Sequence, residues 1–259
     1  ETAISLYQKG INIEAIIDNR EEIDSKLIKE AEKNNIKIYK GFTVVNTFGY
    51  KRINKISIMQ LSKDGQKVVG SKISIACDCL GISGGWTPAV HLFTQSGGKL
   101  KFRDEDQVFI PDIYPSDQIS IGSCNGDFTL DEIISSIPNK LKEFLNIKKT
   151  DYENLEIYSS FNKSKRNIWL LPSDKVIGKT KSFVDYQNDA TAKDIKLALR
   201  EGFRSIEHVK RYTTTGMGTD QGKLGNMHAL GIISETAGSK MGELGTTTFR
   251  PPYTPLTFG

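Results

Sequence analysis

Two stretches of this chain have the residue types to hold an anion. In Ile121-Gly122-Ser123-Cys124-Asn125-Gly126-Asp127-Phe128-Thr129, a strand is expected to run into a glycine-rich loop, with a helix beginning near Thr129. A helix N-terminus presents free N–H groups and a positive dipole end, which suit a pyrophosphate. Glycines let the backbone approach such a ligand closely. Gly122, Ser123, Gly126, Asp127, Phe128 and Thr129 are therefore candidate nucleotide contacts, the competing reading being an ordinary strand-to-helix turn. The second stretch runs from Lys210 to Lys223, ahead of a helix expected to start at about Gln221. Lys210, Thr213, Thr214, Thr215, Gly216, Gly218, Gln221 and Lys223 combine cations, hydroxyls and glycines, the makings of a phosphate cradle. Lys210 and Arg211 are adjacent, so at most one can face a ligand. The competing reading is a helix–helix connector whose charges face water.

Other polar residues offer less. Ser83-Gly84-Gly85-Trp86-Thr87-Pro88 reads as a tight crossing between segments, and His91 behind it as a packing residue. Asp18-Asn19-Arg20 ends a strand, where an acid can bind a ribose hydroxyl or simply turn in water. His91, His208 and His228 share no metal-ligand spacing, and no nucleophile–base pair emerges around Ser83, Ser123 or Cys124. Cys77, Cys79 and Cys124 make a poor disulfide framework, so reduced thiols in a cytoplasmic protein are expected.

The elements that must position these residues follow from periodicity. Residues 1–10 read as a helix closed by Gly10, 11–18 as a short strand, and 21–35 as a helix with Ile23, Leu27 and Ala31 on one face. Strands follow in IKIYKGFTVVNTFGY, NKISIMQLS and KVVGSKISIACDCLGIS. This order fits an α/β nucleotide-binding unit whose first strand is missing. Residues 138–182 are polar and weakly periodic, a connector with one buried patch at NIWLLP. Thr191-x-x-Asp194 is a capping box for a helix stopped by Gly202, and SIEHVKRYT and QGKLGNMHALGIISETAG read as two more helices. Hydrophobic content of 37%, charged content of 25% and a net charge of +4 describe a globular chain. Nothing suggests a nucleic-acid footprint, and no apolar run approaches the roughly 20 residues that span a bilayer. The chain starts inside a helical pattern and stops after a Pro-rich stretch, so it reads as a piece of something longer.

SGGWTPAVHLFTQSGGKL (83–100), FVDYQND (183–189), REGFRSIEHVKRYTTTGMGTDQGK (200–223) and GTTTFRPPYTP (245–255) together resemble the alpha subunit of heterotetrameric sarcosine oxidase. The motifs span most of residues 70–259; the first 70 residues match only in pattern. The resemblance implies an α/β, partial two-dinucleotide-binding-domain flavoprotein fold followed by a small helical domain that resembles a ferredoxin-like [2Fe-2S] domain without its cysteines. Residues 1–80 would be part of an inserted dinucleotide domain, and 81–145 a return to the NAD-binding domain. Residues 146–182 would be a connector, 183–244 the helical domain, and 245–259 the opening of a folate-binding aminomethyltransferase-like domain. Where relatives of the helical domain carry cluster cysteines, this chain has Asp185, Gln187, Asp220 and Gly225, and iron–sulfur clusters need thiolates, so none is expected.

The activity implied is oxidative demethylation of sarcosine to glycine in sarcosine catabolism. Oxygen is reduced to hydrogen peroxide, and water or tetrahydrofolate takes the one-carbon unit. NAD would be bound here by the 122–129 loop, FMN at the alpha–beta interface along the 210–223 loop, FAD on the beta subunit, and tetrahydrofolate in the downstream domain. The expected partners are the beta, gamma and delta subunits, with no nucleic acid and no membrane. Alternatives are a non-catalytic assembly module, or the alpha subunit of a related amine, proline or opine oxidase.

Overall fold

The computed structural model describes residues 1–23, 25–115, 117–146, 167–175, 181–251 and 254. The chain forms two compact units: residues 1–84 with 171–180, and residues 85–170 with 181–259. The connector expected over 146–182 lies largely outside the described residues, and the expected folate-domain opening over 245–259 partly so.

The first unit opens with α1 (Thr2–Gln8) and β1 (Ile16–Asp18), followed by α2 (Lys26–Lys33). Ser25 caps α2 by accepting a bond from the Ile28 N–H at 3.2 Å, which is why the helix starts later than residue 21. β2 (Ile38–Lys40) returns parallel to β1 in a β-α-β turn of chain. Ile4, Ala31 and Ile36 are buried there, with Ile13, Ile16 and Ile38 against them. An antiparallel meander follows: β3 (Phe42–Gly49), β4 (Ile53–Leu61) and β5 (Val68–Ala76). β4 is its centre, and Ile56, Ser57, Ile58 and Met59 are buried in succession, so both faces of that strand are covered. Residues 171–175 belong to this unit, where Lys72 pairs with Asp174 at 2.5 Å.

The second unit begins with α3 (His91–Gln95) and the hairpin β6 (Lys99–Arg103) and β7 (Val108–Ile113). A 3-10 turn at Gly122–Asn125 leads to α4 (Leu130–Leu145). Two expectations are corrected here. Residues 117–121 form no strand ahead of the Gly122 loop. And the chain does not turn irregular at Pro138, because α4 continues through it to Leu145. Ile133, Ile137 and Leu141 recur at helical spacing on one partly buried face, which offsets the one backbone bond a proline removes.

The expected helical domain carries a small hairpin as well, β8 (Phe183–Asp185) with β9 (Ala190–Thr191). Four helices follow: α5 (Ala192–Arg200), α6 (Ile206–Thr213), α7 (Asn226–Ala237) and α8 (Met241–Leu244). The Thr191–Asp194 cap is made as expected, with the Thr191 N–H donating to Asp194 Oδ2 at 2.8 Å. The core gathers Ile195, Ala198, Val209, Leu230, Ile232 and Ile233, joined by Phe109 of β7. The expected apolar patch at 167–172 is divided. Trp169 and Leu170 pack on this core, whereas Leu171 onward belongs to the first unit. A Cβ on Gly231 would collide with the Trp169 ring, so the glycine is what admits the indole.

Candidate functional site

The 213–226 loop is built on one carboxylate. Asp185, at the end of β8 and 6% exposed, accepts from the N–H groups of Gln187 at 2.8 Å and Asn188 at 2.9 Å, and across 31 residues from Gly216 at 2.7 Å. Burial alone would raise its pKa. The backbone bonds from Asn188, Gly216 and Gln187 outweigh that, and the carboxyl sits below its ordinary value. Gln187 makes a second bridge: its amide donates to Thr219 Oγ1 at 2.9 Å and accepts from the Asp220 N–H at 3.3 Å. Asn188 adds a bond to the Thr214 carbonyl at 3.2 Å.

The four positions at which thiolates would hold a cluster therefore stand on two facing loops, yet their chemistry does not fit a cluster. Asp185 and Gln187 hydrogen-bond across the gap, Asp220 accepts from the Gly222 N–H at 3.1 Å, and a Cβ at Gly225 would collide with the Val184 carbonyl oxygen. Iron–sulfur ligation needs sulfur, and none is present at these positions.

The cradle residues mostly serve the loop itself. Thr213 and Thr215 are buried, with hydroxyls 2.7 Å apart, and Thr213 also bonds the Val209 carbonyl. Thr214, left-handed at φ +61°, ends α6 and bonds the Thr213 carbonyl. The Gly216 N–H is given to Asp185 and the Gln221 N–H to the Gly218 carbonyl. α7 begins at Asn226, not at about Gln221, because glycine turns occupy 216–225: a Cβ at Gly222 would collide with the Asn226 side chain. Backbone N–H groups here are thus largely used in turns. An anion on this loop would rely on the Lys210 and Lys223 side chains and on the exposed rim at Thr214, Met217 and Thr219.

Asn226 is a site residue that the sequence reading missed. Its amide bonds the Gln221 carbonyl at 3.1 Å and Thr247 Oγ1 at 3.0 Å. Gln221 itself, at φ +52°, reaches the tail: its amide donates to the Arg250 carbonyl and accepts from the Arg250 N–H, both at 2.8 Å. A Q-G-x-x-x-N spacing carries no established signal, so nothing in the sequence pointed to this clasp. Three motif segments thereby converge on one pocket: Thr87, Pro88, Val90 and His91 from 83–100, Gly222 and Lys223 from 200–223, and 245–247 with Phe249 from the tail, with Asn226 and Met227 of α7 beside them. The pocket has a volume of about 50 Å³. His91, 7% exposed, lies 3.9 Å from the Phe249 ring centroid. Burial, reinforced by the Lys223 ammonium, pushes its pKa down to about 4.

The 122–129 loop lies apart from that pocket. Gly126, at φ +83°, gives its carbonyl to Arg103 at 2.7 Å, and Arg103 also pairs with Asp106. Asp127 accepts from Ser136 and Lys140. The α4 terminus is capped by its own side chains: Glu132 accepts from the Phe128 and Thr129 N–H groups at 3.2 Å each, and Thr129 accepts from the Glu132 N–H. With Asp127, Asp131 and Glu132 around it, this terminus already has its negative charge. Gly122 is buried and Ser123 exposed. Asp18 is committed to Arg20 through a bidentate pair at 2.9 and 2.7 Å, which favours the turn over the ribose contact. The three cysteines are free thiols, and no metal-holding group of His, Cys, Asp and Glu occurs among the described residues. None of the described helices is long and apolar enough to cross a membrane.

Comparison with known proteins extends the resemblance beyond the motifs. The sarcosine oxidase alpha subunit of Rhizobium meliloti (strain 1021) is 32% identical over 99% of this chain and 25% of its own length. That of Corynebacterium sp. (strain P-1) is 31% identical over 94% of this chain and 26% of its own. The match therefore takes in the first 70 residues too, and the chain spans about a quarter of the length of the curated relatives it matches. An opine oxidase subunit from Rhizobium meliloti (strain 1021) is 34% identical over 27% of the chain and 16% of its own length. L-proline dehydrogenase from P. horikoshii has a similar fold, with a TM-score of 0.55 and 17% identity over 95% of this chain and 49% of that one. Over nearly its whole length the chain resembles the alpha subunit of sarcosine oxidase, and its residues 179–259 match the Sarcosine oxidase A3 domain.

Proposed function

We propose that this chain is an internal segment of the alpha subunit of a sarcosine-oxidising complex, and that it acts there as a cofactor-side scaffold. The complex would convert sarcosine to glycine with oxygen as electron acceptor and water or tetrahydrofolate as one-carbon acceptor, alongside beta, gamma and delta subunits. The flavins, FAD on the beta subunit with FMN at the alpha–beta interface, would supply the redox chemistry. In this reading the 122–129 loop faces a nucleotide such as NAD. Residues 183–244 form a ferredoxin-like domain whose cluster positions have become hydrogen-bonding ones. The observation that carries the scaffold reading is the Asp185–Gly216 and Gln187–Asp220 bridging, which fixes the glycine loop through carboxylate, amide and backbone groups.

The protein's own work would be to hold that loop rigid and to set cations at its rim. A double change, Lys210→Ala with Lys223→Ala, in the assembled complex should lower bound FMN several-fold and turnover with it. Unchanged flavin content and turnover would sink the FMN role. A second reading, a purely assembling module, is favoured by the self-satisfied α4 terminus and would survive that result.

A further inference from the structure

Residues 245–251, after α8, are neither helix nor strand, yet they are held at three points. Gln221 grips the Arg250 backbone with both halves of its amide, Asn226 bonds Thr247, and Phe249 lies on His91. The two-way amide contact copies a rung of a β-ladder using a side chain in place of a strand. Gln221 adopts a left-handed conformation at φ +52°, uncommon for a residue with a Cβ. Such a conformation persists when its surroundings over-determine it, and it often marks a functional contact. Thr247 is 4% exposed and His91 7%, so the tail seals what it crosses. Beneath it lie Val90, Leu100, Met227 and Leu230, with Lys223 on the wall.

We propose that residues 246–250 are a strap that closes this pocket, with Gln221 and Asn226 as its catches and Phe249 as the plug against His91. Release of the strap opens an apolar recess walled by an imidazole and an ammonium. The inference does not depend on which cofactor the complex carries.

Hydrogen–deuterium exchange mass spectrometry on the full-length polypeptide tests it. The Arg250 N–H has Gln221 Oε1 as its acceptor, so Gln221→Ala should speed exchange across 247–250 at least tenfold while 229–233 in α7 stays protected. Gln221→Glu keeps the acceptor and loses the donor, and should fall between the two. Phe249→Ala, a change on the strap itself, should act in the same direction. Exchange at the imidazole C2 position of His91 should report a titration midpoint moving upward from about 4 in both alanine variants. Exchange over 247–250 that is already unprotected in the unaltered protein, or unmoved by Gln221→Ala, overturns the strap.

Discussion

Asp185 and His91 both have a lowered folded-state pKa in the second unit, so both act in the same direction. His91's folded-state value of about 4 lies below its ordinary 6.5. The unfolded chain therefore takes the proton first as pH falls. Its contribution is complete above about 6.5 and is lost between there and about 4. Asp185 is also lowered, so its contribution is complete above 3.8 and disappears as pH falls through its lower folded value. Denaturant midpoints measured across the acid range should decline in that order, and His91→Phe should remove the earlier decline. At neutral pH, Asp185→Ala leaves the Gly216 N–H without its acceptor and should cost about 3 kcal/mol. A loss below about 1 kcal/mol in urea melts would show that the loop stands without it.

At the scale of elements, legibility followed how local each signal was. Whereas only Ile16–Asp18 of the strand expected over 11–18 forms one, the strands of the meander were readable because β-branched residues recur over adjacent positions. The Thr191–Asp194 cap was readable for the same reason, and Thr129-x-x-Glu132 carried an equally local signal for α4 that went unread. The start of α7 was misplaced because Gly222 and Gly225 are required by contacts to Asn226 and Val184, and the latter partner lies far off in sequence. Asp185 and Gly216 are separated by 31 residues, and no spacing rule announces such a bond. The candidate cradle was thus legible as a collection of residue types, but not as a loop that consumes its own donors. Two substitutions probe these elements. Thr129→Ala should destabilise α4 by about 1 kcal/mol, seen as a lower helical melting midpoint. Gly231→Ala places a methyl in the Trp169 ring and should cost about 1–3 kcal/mol, with a red shift in indole emission as the ring is displaced.

At the scale of the whole molecule, what could be read from sequence was the family likeness and the mixed α/β character, and what could not was the return of residues 171–175 to the first unit. NIWLLP looked like one buried patch, but Trp169 and Leu170 pack in one unit and Leu171 falls in the other. Hydrophobicity says that a residue will be covered and not by which core, because burial is non-directional. The return of residues 171–175 to the first unit has a consequence for synthesis. The Lys72–Asp174 contact joins a strand made early to a segment made only after all of 85–170 has been translated. At about 5–20 residues per second, that interval is on the order of ten seconds. During it the growing chain holds the β-meander without its last partner, so the first unit is completed only after a large part of the second has been made.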